Sequence, residues 1–176
     1  MYKGEKTILR AYEKRDLEVA HRLFNDLEVQ KLLNPGVILP LSLEEEQKFI
    51  ETNASAKESR YNFAVDTLDG VYIGGGGYFD FNRRNGTTFI GIAIAHRDYW
   101  GKGYGSDALQ VLLRFLFLEL NVRKILLNVF AFNARAIACY QRLGFREEGR
   151  LKQQVYRDGT FHDELIMSLF REQFNA

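Results

Sequence analysis

The spacing of apolar residues changes twice along the chain. Over the first sixty residues it is helical. Leu17, Ala20, Leu23, Phe24 and Leu27 lie on one face of "LEVAHRLFNDLEVQKLL", which predicts one helix through residue 33 with Asp16 as its cap. "TILRAY" (7–12) before it reads as a strand. "NPGVILP" (34–40) reads as a loop holding both prolines, and Ser42 with Glu45 forms a capping box for a helix to about residue 56. From residue 61 the period becomes two. "YNFAVDT", Asp69-Gly70 and "VYIGGGGYFDF" make a hairpin, and Asn85-Gly86 turns into "TTFIGIAIAH". The helical period returns after "YWGKGYG" (99–105) and runs to about Leu120. A strand (123–131), a helix (133–144, Asn133 as cap and Gly144 as stop) and two strands around Asp158-Gly159 complete the chain. The pattern predicts one α+β domain over residues 1–176 with a mostly antiparallel sheet.

Composition narrows the class. The chain has 176 residues, 46% hydrophobic and 27% charged, which is enough apolar surface for one core. A net charge of +1 gives no overall basic field to argue for nucleic acid and no acidic one against it, and no direct nucleic-acid partner is expected. The longest apolar stretch, "ALQVLLRFLFLEL", is interrupted by Gln110, Arg114 and Glu119 and is too short for a bilayer. Cys139, the single cysteine, excludes an internal disulfide. No secretory pattern opens the chain. A cytoplasmic protein without membrane partners is therefore expected. No Cys/His set has metal spacing.

Candidate chemistry sits in the second half. Glycines at 101, 103 and 105 precede a helix, so they permit positive φ and leave amides bare where a helix N-terminus attracts an anion. "GYGSDA" (103–108) also fits the Gly-x-Gly-x-x-Gly/Ala dinucleotide pattern. However, it follows several antiparallel strands, and no acidic residue ends the next strand, so a Rossmann reading is set aside. Further on, Asn133, Ala136 or Ile137, and Tyr140 share one helix face.

These motifs in this order, "GIAIAHRDYWGKGYGSDALQVLLRFLF" through "NVFAFNARAIACYQRLGF" to "YRDGTFHDELIMSL", resemble the GNAT superfamily of acetyl-CoA-dependent N-acetyltransferases. The similarity is greatest to ribosomal-protein N-terminal and spermidine acetyltransferases. It implies a central, mostly antiparallel seven-stranded sheet with a splayed middle and helices on both faces. It implies acetyl-CoA as cosubstrate, bound by Gly101, Lys102, Gly103, Tyr104, Gly105 and Ser106 at the diphosphate. Ala93, Ile94 and Ala95 would pair with the pantetheine arm, and Asn133 and Ala136 would also touch the coenzyme. Tyr140 would protonate the leaving thiolate. The implied acceptor is a primary amine: a peptide N-terminus, a polyamine or another small amine. A non-catalytic acyl-CoA-binding module is the alternative. Exposed sheet edges favour a homodimer.

Two positions depart from the family pattern. Trp100 stands where relatives carry Gln or Arg, and "TTFI" (87–90) lacks their strand glutamate. Asp80, His96, Asp98 and Asp163 are then the candidates for a base, with Asp163 favoured to contact the amine. Cys139 is expected as a small buried apolar residue, Glu44–Glu46 as a solvated helix start, and the quartet Gly74–Gly77 as a place of close backbone approach or a bulge.

Overall fold

A computed structural model describes residues 1–53 and 57–174; the expected end of the second helix, residues 54–56, lies outside them. The strands are β1 (Tyr2–Lys3), β2 (Thr7–Arg10), β3 (Tyr61–Thr67), β4 (Tyr72–Asn82), β5 (Thr87–Ile94), β6 (Lys124–Phe130), β7 (Arg146–Arg157) and β8 (Thr160–Phe170). They form one sheet in the order β1-β2-β3-β4-β5-β6-β8-β7. The helices are α1 (Asp16–Phe24), α2 (Leu27–Leu33), α3 (Leu43–Asn53), α4 (Tyr104–Arg114) and α5 (Ala134–Arg142).

The expected architecture holds, with eight strands in place of seven. The additional β1 has two residues, too short for any alternation to betray it. It pairs with β2, and the turn between them is held by the Asp107 carboxylate at the start of α4, which accepts from the amides of Glu5, Lys6 and Thr7 at 2.9, 3.0 and 2.8 Å. β5 and β6 form the one parallel pair among the described strands. They bond only over Thr87–Phe89 against Lys124–Leu126 and then diverge. This leaves the β6-facing edge of β5 open from Ile90 onward, which is the splay.

Alternation on β3 sends side chains to two different clusters. Phe63 and Val65 join the main core with Leu109, Leu112 and Leu116 of the α4 side. Ala64 faces the other way, onto Ala20 and Tyr72, beneath Val19 of α1 and Ile50 of α3. The predicted single helix 17–33 is two helices. Asp26 adopts an extended conformation between them and caps α2 by accepting from the Glu28 amide. Asp16 caps nothing with its side chain. It is 2% exposed and shares Arg10 with Asp66: Arg10 donates to Asp16 at 2.7 and 2.8 Å and to Asp66 at 2.7 and 2.8 Å. The Ser42–Glu45 capping box is present in both directions, at 2.7 and 3.1 Å. Gly144 closes α5 at φ +94°. The helix after the glycines reaches Arg114 as α-helix and continues through Glu119 with π-type bonding.

Candidate active site

The open edge of β5, the N-terminus of α4 and the inner face of α5 enclose a cavity of about 680 Å³. Its floor includes Gly91, Ile92, Ala93 and Ile94. At one end stand the glycines. Gly101 and Gly103 have φ of +71° and +87°, values that side-chain-bearing residues adopt at a cost. These two turns aim the chain into α4, whose first recorded bond runs from the Asp107 amide back to the Gly103 carbonyl at 3.0 Å. The six amides of residues 101–106 make no hydrogen bond to any described residue. A run of bare N–H groups at a helix N-terminus, under its positive dipole end, is matched to an anionic group such as a diphosphate.

Trp100 locks this corner. Its indole Nε1 donates to the Ile94 carbonyl at 2.5 Å, and the Arg135 guanidinium lies 3.7 Å from its ring centroid. The indole thus ties the end of β5 to the first turn of α5. Arg135 keeps a cation at the cavity wall.

On the α5 wall are Cys139 and Tyr140. Tyr140 packs edge-on against Phe145, with ring centroids 5.9 Å apart. Burial, with a smaller push from neighbouring Cys139, raises its phenol to about 12, so it stays protonated and able to donate at neutral pH. Asn133 caps α5, its Oδ1 accepting from the Ala136 amide at 3.2 Å, and also lines the cavity.

A second cavity of about 550 Å³ lies toward α1 and α3, and its walls include the same Gly91, Ile92 and Ala93. Phe79 and Asp80 border both cavities. Asp80 occupies the irregular stretch of β4 between Phe79 and Asn82, with φ +53°. A left-handed aspartate where two cavities meet is the kind of local strain that functional sites retain.

The family model for the acetyltransferase (GNAT) domain matches residues 6–146, most of the chain. The protein belongs to the GNAT acetyltransferase family. It is an acetyl-CoA-dependent N-acetyltransferase. The chain is 31% identical over 172 residues to the SPbeta prophage-derived uncharacterized N-acetyltransferase YokL of Bacillus subtilis (strain 168), covering 97% of this chain and 93% of that protein. It is 27% identical to the spermidine N(1)-acetyltransferase of Escherichia coli K12, over 96% and 88% of the two chains. Among solved structures, the Vibrio cholerae spermidine N-acetyltransferase in complex with CoA and spermine superposes with a TM-score of 0.84 at 26% identity, covering 95% and 96%. A GNAT-family acetyltransferase from Bacillus anthracis gives 0.82 at 26% identity, over 97% and 98%.

Of the residues the sequence nominates in this acetyltransferase, the coenzyme-sized cavity gathers Ala93, Ile94, Gly101, Gly103, Gly105 and Ser106, together with Asn133, Ala136 and Tyr140. It does not gather Ala95, Lys102 or Tyr104. The Ala95 amide is committed to the Ile73 carbonyl at 2.9 Å, and the Tyr104 ring packs edge-on against Tyr99. Asp163 borders neither cavity. Its oxygens accept from the Gln153 amide at 2.9 Å and from Arg150 at 3.2 Å, and these bonds hold its carboxyl below the usual range. His96 and Asp98 line a separate shallow depression.

Three expectations are corrected. Cys139 is not a sealed apolar filler: it is half-buried on the cavity wall with Sγ 3.1 Å from Ser106 Oγ. Glu46 is not solvated; it is 5% exposed. Asp16 is an ion-pair partner rather than a cap. For Glu46 one signal was available: it is four residues before Ile50, on the stripe that faces the sheet. The close approach expected of the Gly74–Gly77 quartet is seen at Gly75, where a Cβ would stand 2.1 Å from the Tyr12 hydroxyl. Among the described residues no helix is long and apolar enough to cross a membrane, and no acidic, His or Cys group could hold a metal.

Proposed function

We propose that this enzyme transfers the acetyl group of acetyl-CoA directly to a small primary amine, without an acyl-enzyme intermediate. The amides of residues 101–106 hold the diphosphate, and the pantetheine arm lies along the open edge at Ala93 and Ile94. The amine enters through the second cavity, past Asp80. The amine enters as ammonium and first loses a proton to Asp80 or water; its lone pair then attacks the thioester carbonyl, forming the N–C bond, and the C–S bond breaks. The departing sulfur takes a proton from Tyr140, the second proton leaves the nitrogen to water or to Asp80, and Tyr140 regains a proton from water. Of the base candidates, Asp80 is preferred because it alone borders both cavities. The observation that carries this reading is the junction of the two cavities on Gly91–Ala93, with unpartnered amides at one end of the first and a protonated phenol at its other wall.

Spermidine acetyltransferases among the relatives support a small amine over a peptide N-terminus. The experiment is thiol release with a panel of amines on wild type and Tyr140→Phe. The variant should lose turnover on the order of 10²-fold while acetyl-CoA affinity stays nearly intact. Unchanged turnover at saturating amine would remove Tyr140 from the chemistry. No thiol release with any amine would favour the acyl-CoA-binding module.

A further inference from the structure

The reaction proposed above leaves a buried carboxylate unused. Glu46 lies on the inward stripe of α3, with Ile50 one turn later packed on Ala20, Ala64 and Tyr72. Such a position ordinarily takes Leu or Ile. Here it holds an acid that is 5% exposed and has no hydrogen bond or ion pair to a described residue; His21 is the one nearby charge that favours its ionised form. Burial pushes its carboxyl up. A buried, unpaired carboxylate costs several kcal/mol on the usual scale of ion desolvation. A fold carries that cost without benefit unless something arrives to pair with it.

What arrives is constrained by the surroundings. Glu46 forms part of the wall of the second cavity, where the acceptor enters. Phe24, Leu33, Phe49 and Tyr78 make that cavity apolar, and Gly75 and Gly76 leave its floor as bare backbone. Its charged residues are Glu45, Glu46, Asp80 and one cation, Arg60. Carboxylates therefore outnumber cations, and they sit on different walls: Asp80 on β4 at the junction with the coenzyme cavity, Glu46 on α3.

Resting on the acetyl-transfer reading, we infer that Glu46 is an acceptor-binding residue that pairs with a second, non-reacting cationic nitrogen, so that the preferred substrate is a diamine with an apolar spacer. One nitrogen is presented near Asp80 for attack, the spacer lies between the aromatic walls, and the other nitrogen donates to Glu46. This separates Glu46 from a structural acid: occupancy, not folding, depends on it.

The test compares α,ω-diamines such as 1,4-diaminobutane and 1,6-diaminohexane with monoamines of equal length, on wild type, Glu46→Gln and Glu46→Asp. Wild type should favour at least one diamine over its monoamine by roughly 10- to 100-fold in kcat/KM, the range to which a charged hydrogen bond converts. Glu46→Gln should reduce that ratio to near unity with KM for acetyl-CoA unchanged, and Glu46→Asp should restore part of it. Glu46→Gln should melt no lower than wild type, because an uncompensated buried charge is removed. Calorimetric binding of the same diamines to both proteins reads the site without turnover. Glu46-dependent diamine binding with no thiol release would sink acetyl transfer and leave this site standing. A wild type indifferent to the second nitrogen, a preference that survives Glu46→Gln, or a variant that unfolds would overturn the inference.

Discussion

Replacing Asp107 by Ala tests whether the N-terminal segment holds the coenzyme loop in place. The Asp107 carboxylate accepts four hydrogen bonds from residues 5–7, the fourth from Thr7 Oγ1 at 2.6 Å. The amides of Glu5 and Lys6 are exposed and turn to water when the acid is lost, so they contribute little. Thr7 is 0% exposed, and its amide and hydroxyl have no such recourse. At ~1.5 kcal/mol for each charge-assisted bond, those two give a loss of about 3 kcal/mol. For a domain of this size that lowers the melting temperature by roughly 6–12 °C. Because Asp107 sits four residues after Gly103, on the first turn of α4, the loosened helix start should also weaken acetyl-CoA. Thermal melts with and without coenzyme, plus calorimetric Kd, measure both. A shift under about 2 °C would refute the assignment of Thr7 as a buried dependent of Asp107, since surface changes alone stay near ±0.5 kcal/mol.

Two more perturbations follow from the same geometry. Trp100→Phe keeps an aromatic face for Arg135 but removes the indole bond to the Ile94 carbonyl. It should weaken acetyl-CoA by roughly fivefold, equivalent to ~1 kcal/mol for one net hydrogen bond, and calorimetry reads it. Asp16 carries a pH signature. Burial pushes its carboxyl up, but the hydrogen bonds from Arg10 and from the Glu13 amide outweigh that and leave it below its ordinary value. Its stabilisation is thus full above the unfolded value of about 4 and fades as pH drops through the lower folded value. Asp16→Asn should cost about 1.5–3 kcal/mol at neutral pH, because Arg10 keeps its pair with Asp66, and the gap between the two melting curves should close in acid. A gap constant down to the most acidic reading would contradict the pairing.

What could be read without the structure was local. Positive-φ glycines at 101, 103 and 144, the turn at Asp158-Gly159, the Ser42–Glu45 box and the Asn133 cap each depend on residues within a few positions, and each is found. The residues misread depend on partners far along the chain. Asp16 answers to Arg10 and through it to Asp66, the turn after β1 is held by Asp107, and Cys139 meets Ser106 across two helices. Glu46 looked like one of three acids in a helix start, because the sheet face that buries it lies on other strands. Asp163 looked free to meet an amine until the amide of Gln153 and the side chain of Arg150 claimed it. Near the two departures from the family pattern, the Trp100 indole bonds the Ile94 carbonyl and Asp80 borders both cavities.

The most direct test of the account is a crystal structure of the protein with coenzyme A bound. The account predicts pyrophosphate oxygens within hydrogen-bond reach of amides between Gly101 and Ser106, and the sulfur beside the Tyr140 hydroxyl where the two cavities share Gly91–Ala93. A coenzyme seated elsewhere, or a sulfur far from that phenol, would contradict it.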